Sequence, residues 1–150
     1  VYNMGGIRAD FAKGDINVGD VSEVAPFENK ICFLTLTGEK VLELFQQIAH
    51  RGGEGVSHAV RMVITRDGKL KSVTLNGEPV DPAKSYRIAT LDYLAEGNDQ
   101  LVAFKSGTDV VAPKSKENNV RYIIMDYLRE MKAQGKVVES RVEGRCVVDK

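Results

Sequence analysis

The sequence predicts an α+β domain, a mixed and largely antiparallel sheet with two main amphipathic helices packed on it. Three observations lead there. Apolar residues recur at helical spacing in two stretches, within residues 41–48 and 120–131. Between them, from residue 61 to 90, the period falls to two, and Asp67-Gly68, Asn76-Gly77 and Asp81-Pro82 separate the runs as turns. Helices are thus segregated from hairpin-linked strands, which argues against an alternating, doubly wound arrangement. A chain of 150 residues is long enough for one such core.

Val1 and Tyr2 are strand formers that run into Asn3-Met4-Gly5-Gly6, so residues 1–8 predict a strand ending in a glycine turn with exposed N–H groups. Asp20 lies three residues before Glu23, the spacing of a capping box, and Pro26 closes a helix of about one turn. Residues 31–36 (Ile-Cys-Phe-Leu-Thr-Leu) are too short and too β-branched for a helix and predict a buried strand. Thr37 caps the next helix. Its Val41, Leu44, Phe45 and Ile48 form one apolar face meant for a sheet, and Gly52 with Gly53 ends it. Residues 62–65, 71–75 and 86–90 then predict an antiparallel meander. The late helix carries Val120, Ile123, Ile124, Tyr127, Leu128 and Met131, stops at Gly135, and places Met125 and Met131 in the core. Val137, Val138, Val142, Val147 and Val148 predict one or two closing strands.

Composition removes several function classes. Lys plus Arg (21) cancels Asp plus Glu (21), so no electrostatic excess drives binding to nucleic acid or anionic lipid. No apolar run approaches the ~20 residues of a membrane span. The chain opens Val-Tyr-Asn with no charged leader segment, which predicts that an upstream part is missing. The two histidines, His50 and His58, lie eight apart without His-Glu-x-x-His spacing, so no catalytic zinc site is written here. Asp15, Asn17 and Asp20 begin a calcium-loop pattern whose twelfth position falls on Pro26, and Thr37-Gly38-Glu39-Lys40 lacks the order of a phosphate-binding P-loop. Cys32 sits inside an apolar strand and reads as structural rather than nucleophilic, and no serine has a nucleophile-elbow context. The chain carries recognition chemistry without reaction chemistry.

Three motifs stand out at predicted loops and strand ends: Asn3-Met4-Gly5-Gly6-Ile7-Arg8, Val24-Ala25-Pro26-Phe27-Glu28-Asn29, and Asp92-Tyr93-Leu94-Ala95-Glu96-Gly97-Asn98-Asp99. In this order, with Leu36-Thr37-Gly38 opening the first long helix, the sequence resembles the C-terminal domain of the 5′-nucleotidase and UDP-sugar hydrolase family over essentially its whole length. Each motif alone reads more blandly, with Phe27 a packed corner, Tyr93 a half-buried strand end, Arg8 a solvated charge and Asp99 a turn former.

The resemblance implies a nucleotide-binding domain that recognises substrate for a separate N-terminal metallophosphoesterase domain, which would hold two divalent metal ions and is absent from this chain. It implies a base stacked between Phe27 and Tyr93, ribose hydroxyls on Asp99, amide contacts from Asn3 and Asn29, and phosphate on Arg8 with help from the Gly5 and Gly6 amides. Tyr93 stands at a family phenylalanine position, and its added hydroxyl has a base edge or water within reach. Gly53 and Gly55 compete for a further backbone contact. The implied activity is release of phosphate from nucleoside phosphates, with no catalytic residue and no metal in this chain. Two alternatives remain open at this stage, a non-catalytic nucleotide-binding module working with a separately encoded metallophosphoesterase and an interaction domain that has lost its ligand. By resemblance the protein works outside the cytoplasm, in the periplasm, at the cell surface or after secretion.

Overall fold

Residues 1–149 are described by a computed structural model, and their strands form two sheets rather than one. Helix α1 (Val18–Val24) leads into β1 (Ile31–Thr37), α2 (Gly38–His50), β2 (Val60–Ile64), β3 (Leu70–Leu75), β4 (Glu78–Pro79) and β5 (Ser85–Leu91). The one-turn α3 (Asp92–Ala95), β6 (Thr108–Val111), α4 (Val120–Ala133) and β7 (Cys146–Val148) complete the chain. The first sheet has the order β5-β1-β6, all antiparallel. The second has the order β4-β3-β2-β7, antiparallel except where β7 runs parallel to β2. The α+β class stands.

Helix α2 joins the two sheets into one core. Thr37 accepts the Lys40 N–H as its cap, and the apolar stripe Val41, Leu44, Phe45 and Ile48 is buried against strands of both sheets. Burying four such side chains is worth roughly 6–12 kcal/mol before the entropy of ordering them. Leu34 and Leu36 from β1, Met62 and Ile64 from β2, and Leu91, Leu94, Leu101 and Phe104 complete the cluster.

The meander expected over residues 61–90 does not hold as one unit. Strands β2 and β3 do form a hairpin across Asp67-Gly68, but β5 leaves that sheet and pairs along its whole length with β1, Ile31 opposite Leu91 and Thr37 opposite Ser85. The crossing is made by residues 81–84 over the start of α2. Gly38 donates to the Lys84 carbonyl at 2.6 Å, Asp81 donates its N–H to the Tyr86 hydroxyl at 2.8 Å, and a Cβ on Gly38 would sit 1.8 Å from the Asp81 carbonyl oxygen. Only glycine lets the two segments touch.

Four other expectations need correction. Residues 1–8 are not a strand: Tyr2 makes a single bridge to Gly55, and Met4–Gly6 forms a tight helical turn. The capping box of α1 uses Asn17 and Asp20, whose side chain and N–H groups exchange bonds at 2.8 and 2.9 Å, and the helix runs seven residues instead of one turn. Helix α4 ends before Gly135 as expected, yet only Val120 on it is buried, and Met125 and Met131 are half-buried rather than core. Of the tail valines, only Val147 and Val148 lie in a strand; Val137, Val138 and Val142 are exposed outside any element. Cys32 is buried with its thiol pushed up chiefly by that burial, and Cys32 and Cys146 are both free thiols. Among the described residues no helix is long and apolar enough to cross a membrane.

Candidate functional site

Three loops converge where the first-sheet strands end. The turn Asn3–Gly6 is held by the Gly6 N–H to the Asn3 carbonyl (3.0 Å), so the Gly6 amide expected to face a ligand is spent inside the turn. A Cβ on Gly6 would lie 3.1 Å from both Asn3 Oδ1 and the Tyr2 ring, so a larger residue there would displace one of these side chains by a few tenths of an ångström. Arg8 follows, exposed, with its own N–H on the Val24 carbonyl (2.9 Å) and its guanidinium on the Gly5 carbonyl (3.4 Å). Arg8 is thereby set between the glycine turn and the end of α1.

The segment carrying Phe27 and Asn29 is tied to the segment carrying Tyr93. Asp92 donates its N–H to the Lys30 carbonyl (2.9 Å), and its carboxylate accepts the Lys30 N–H (3.3 Å). Phe27 is 47% exposed, so it is not a packed corner, while Tyr93 is 38% exposed just past the end of β5. The Asn29 carbonyl accepts the N–H of Val120, which anchors the start of α4 to the same loop.

Asp99 sits on a strained turn: it and Gln100 both have left-handed backbones, φ 56° and 65°, without being glycine. Asn98 Nδ2 donates to the Tyr93 carbonyl at 2.8 Å, and buried Leu101 anchors the exit of the turn. The Asp99 carboxylate takes 2.8 Å hydrogen bonds from Asn3 Nδ2 and from the Tyr93 hydroxyl. The tyrosine hydroxyl therefore meets Asp99, and this bond is the main reason its ionisation is pushed above the ordinary value. Asn3 is 6% exposed, and its Oδ1 has no hydrogen-bond partner among the described residues. A buried amide oxygen left unpaired costs about 1–3 kcal/mol, so a donor arriving there is favoured.

Two residues that the sequence did not single out complete the cluster. Glu54, 6% exposed, accepts the Met4 N–H (2.5 Å) and the Arg51 Nε–H (2.7 Å). Arg51 Nη2 lies 3.8 Å from Asp99 Oδ2, and its ionisation is pushed up first by the Glu54 hydrogen bond. Of the two competing glycines, Gly55 spends its N–H and its carbonyl on Tyr2 (2.7 and 2.8 Å), whereas Gly53 donates to the Ile48 carbonyl (3.0 Å). Direct hydrogen bonds thus join Asn3, Tyr93 and Asp99 and join Arg8 to Gly5, while the loop of Phe27 and Asn29 is tied to the Tyr93 segment only through Lys30 and Asp92. Among the described residues no three His, Cys, Asp or Glu side chains are placed to hold a metal ion, so these residues do not fit a dinuclear centre.

A model of the 5′-nucleotidase C-terminal domain matches residues 1–106. Protein UshA of Escherichia coli K12 is 38% identical over 102 residues, which cover 66% of this chain and 18% of that protein. The trifunctional nucleotide phosphoesterase protein YfkN of Bacillus subtilis is 29% identical over 160 residues, covering 97% of this chain and 10% of that protein. Among solved structures, a 5′-nucleotidase precursor from Thermus thermophilus superposes with a TM-score of 0.81 at 28% identity, over 98% of this chain and 30% of that one. The chain spans less than a third of the length of each of these relatives.

Proposed function

The chain belongs to the 5′-nucleotidase C-terminal domain family, and from that premise we propose that it is the substrate-recognition domain of a 5′-nucleotidase-type hydrolase acting on nucleoside phosphates. The observation that carries the reading is the Asn3–Asp99–Tyr93 cluster, which carries the partly exposed Tyr93 ring and one buried Asn3 oxygen left unpaired. Phe27 and Tyr93 hold the base between their faces. Stacking is worth about 1–3 kcal/mol per base and tolerates any base, so the rings give affinity without strict base choice. An ionised carboxylate offers about four acceptor positions; Asn3 and Tyr93 occupy two on Asp99, and the ribose hydroxyls take the others. The Asn3 oxygen accepts from the nucleoside, and Asn29 adds an amide from the Phe27 loop. Arg8, whose planar fork suits phosphate oxygens, receives the phosphate beside Gly5.

In this reading no residue of the chain breaks the phosphate ester. The described residues offer no dinuclear ligand set, and bond cleavage falls to an N-terminal metallophosphoesterase domain or partner chain that works outside the cytoplasm. The chain alone, mixed with AMP and divalent metal, is expected to release no phosphate above background.

Calorimetric titration with adenosine and AMP tests the binding role. Phe27→Ala and Tyr93→Ala should each weaken adenosine by about 1–3 kcal/mol, and the gain of AMP over adenosine should vanish in Arg8→Ala. Absence of heat with either ligand at millimolar concentration would sink the reading.

A further inference from the structure

We propose that Glu54, acting with Arg51, is a positioning residue that sets both ends of the Asn3–Asp99 hydrogen bond and so makes the site selective for ribose over sugars lacking the vicinal hydroxyls. This rests on the reading of Asp99 as the sugar-binding carboxylate. One Glu54 oxygen takes the Met4 N–H at 2.5 Å, which fixes the residue following Asn3. The other takes Arg51 Nε at 2.7 Å, and Arg51 Nη2 is turned to within 3.8 Å of the Asp99 oxygen that accepts from Asn3 Nδ2 at 2.8 Å. Asn3, Asp99, Arg51, Glu54 and Met4 thus close a ring, since Met4 is bonded to Asn3.

The burial of Glu54 makes the ring consequential. Its side chain is only 3% exposed, and a buried carboxylate with two donors costs desolvation that a surface glutamate would avoid. A turn needing only its Met4 N–H satisfied could use a neutral acceptor or water. The charge is needed to hold Arg51 by Nε, which leaves the Nη2 edge for Asp99, and the rigid guanidinium fork passes that orientation on. Asp99 requires such a hold because its turn is strained at two successive residues, φ 56° and 65°. A carboxylate free to rotate would accept from the sugar with less discrimination. Glu54 touches no ligand in this arrangement; it acts through Arg51 and Met4.

The experiment is calorimetry on the full chain and its variants with three probes: adenosine, 2′,3′-dideoxyadenosine, which lacks both ribose hydroxyls, and free adenine. Wild type should prefer adenosine to the dideoxy compound by about tenfold or more, the size of a hydrogen bond to a charged group. Asp99→Asn should bring that ratio to within about twofold of unity, and Glu54→Gln, which touches no ligand, should lower it at least about threefold with adenine affinity unchanged. Arg51→Met should behave as Glu54→Gln, and Arg51→Lys, which keeps the charge but not the fork, should fall between. A merely structural role would weaken all three probes together and leave the ratio alone. Free of ligand, the Asn3 side-chain amide signals in an NMR spectrum should move in Glu54→Gln and Arg51→Met, which reads the same bond if nucleoside affinity is low. A wild-type ratio retained in Glu54→Gln, while Asp99→Asn loses it, overturns the proposal and leaves the reading of the site intact. Equal ratios in wild type and Asp99→Asn, or no binding of any probe, overturn the reading of the site and the proposal with it.

Discussion

Helices α2 and α4 carry the same kind of apolar stripe and meet opposite fates. On α2, Val41, Leu44, Phe45 and Ile48 are all 4% exposed or less, because β1 precedes the helix and strands of both sheets lie against it. On α4, Ile123 is 38% and Tyr127 52% exposed, and the helix touches the rest of the chain mainly through α1 and the turn Lys116–Asn118 just before it. Its start is well anchored, with Asn119 capping and Val120 bonded to Asn29. A helical period therefore specifies a face, whereas the cover for that face comes from tertiary neighbours. The match to the family model ends at residue 106, ahead of α4 and β7, so the buried helix lies in the matched part and the exposed one beyond it.

Stability measurements would break or sharpen this contrast. Phe45→Ala, which removes a ring 4% exposed at the junction of both sheets, should cost about 3–5 kcal/mol in urea unfolding. Tyr127→Ala should cost no more than about 0.5 kcal/mol. Equal losses would mean that α4 is covered in solution as fully as α2. Glycines sharpen the same point at smaller cost. Gly38→Ala would drive a Cβ to 1.8 Å from the Asp81 carbonyl and should destabilise by about 1–3 kcal/mol or more. Gly135→Ala, at φ 69° with nothing within 4 Å, should lose only the left-handed penalty of about 1–2 kcal/mol. If Gly38→Ala proved the milder of the two, the crossing of residues 81–84 over α2 would be wrong.

How much was readable beforehand follows from the same logic. Local signals held where they are self-contained: Thr37 as a cap, the stripe of α2, the left-handed stops at Gly52 and Gly53, the turn at Asp67-Gly68. The sheet to which β5 belongs was not readable. Asp81-Pro82 announces a turn, but its direction is set by Gly38 and by the Tyr86 hydroxyl, which are distant in sequence or on the following strand. At the site, family motifs placed Asn3, Tyr93 and Asp99, which hydrogen bonds join. Arg51 and Glu54 gave no such signal. An arginine at a helix C-terminus reads as a partner of the helix dipole, and a glutamate between glycines reads as solvated turn. Glu54 becomes a buried acceptor only when the Met4 turn folds over it.

The smallest effect concerns the tail, where β7 adds to β2 as an edge strand with Cys146 half-buried and both valines exposed. Main-chain bonds at each end hold it, Met62 N–H to the Arg145 carbonyl at 2.8 Å and Asp149 N–H to the Ile64 carbonyl at 2.7 Å. Around them sit surface ion pairs, Lys71 with Asp149 and Arg145 with Glu143, and His58 Nδ1 lies 2.7 Å from the Glu143 carboxylate. The Arg145 hydrogen bond, ahead of every other cause, holds the Glu143 carboxyl below its ordinary value of 4.5. A folded value below the unfolded one means stabilisation that is present above pH 4.5 and is lost as pH falls through the folded value. Hydrogen exchange should therefore show the β7 amides opening faster below pH 4.5, with the amides of β1 unaffected. Glu143→Gln should bring the faster opening to neutral pH and remove the acid step. Exposed pairs are individually weak, so the change is confined to the edge strand and leaves global unfolding almost unmoved. An acid step that persists in Glu143→Gln would show that the Glu143–Arg145 pair does not hold the strand.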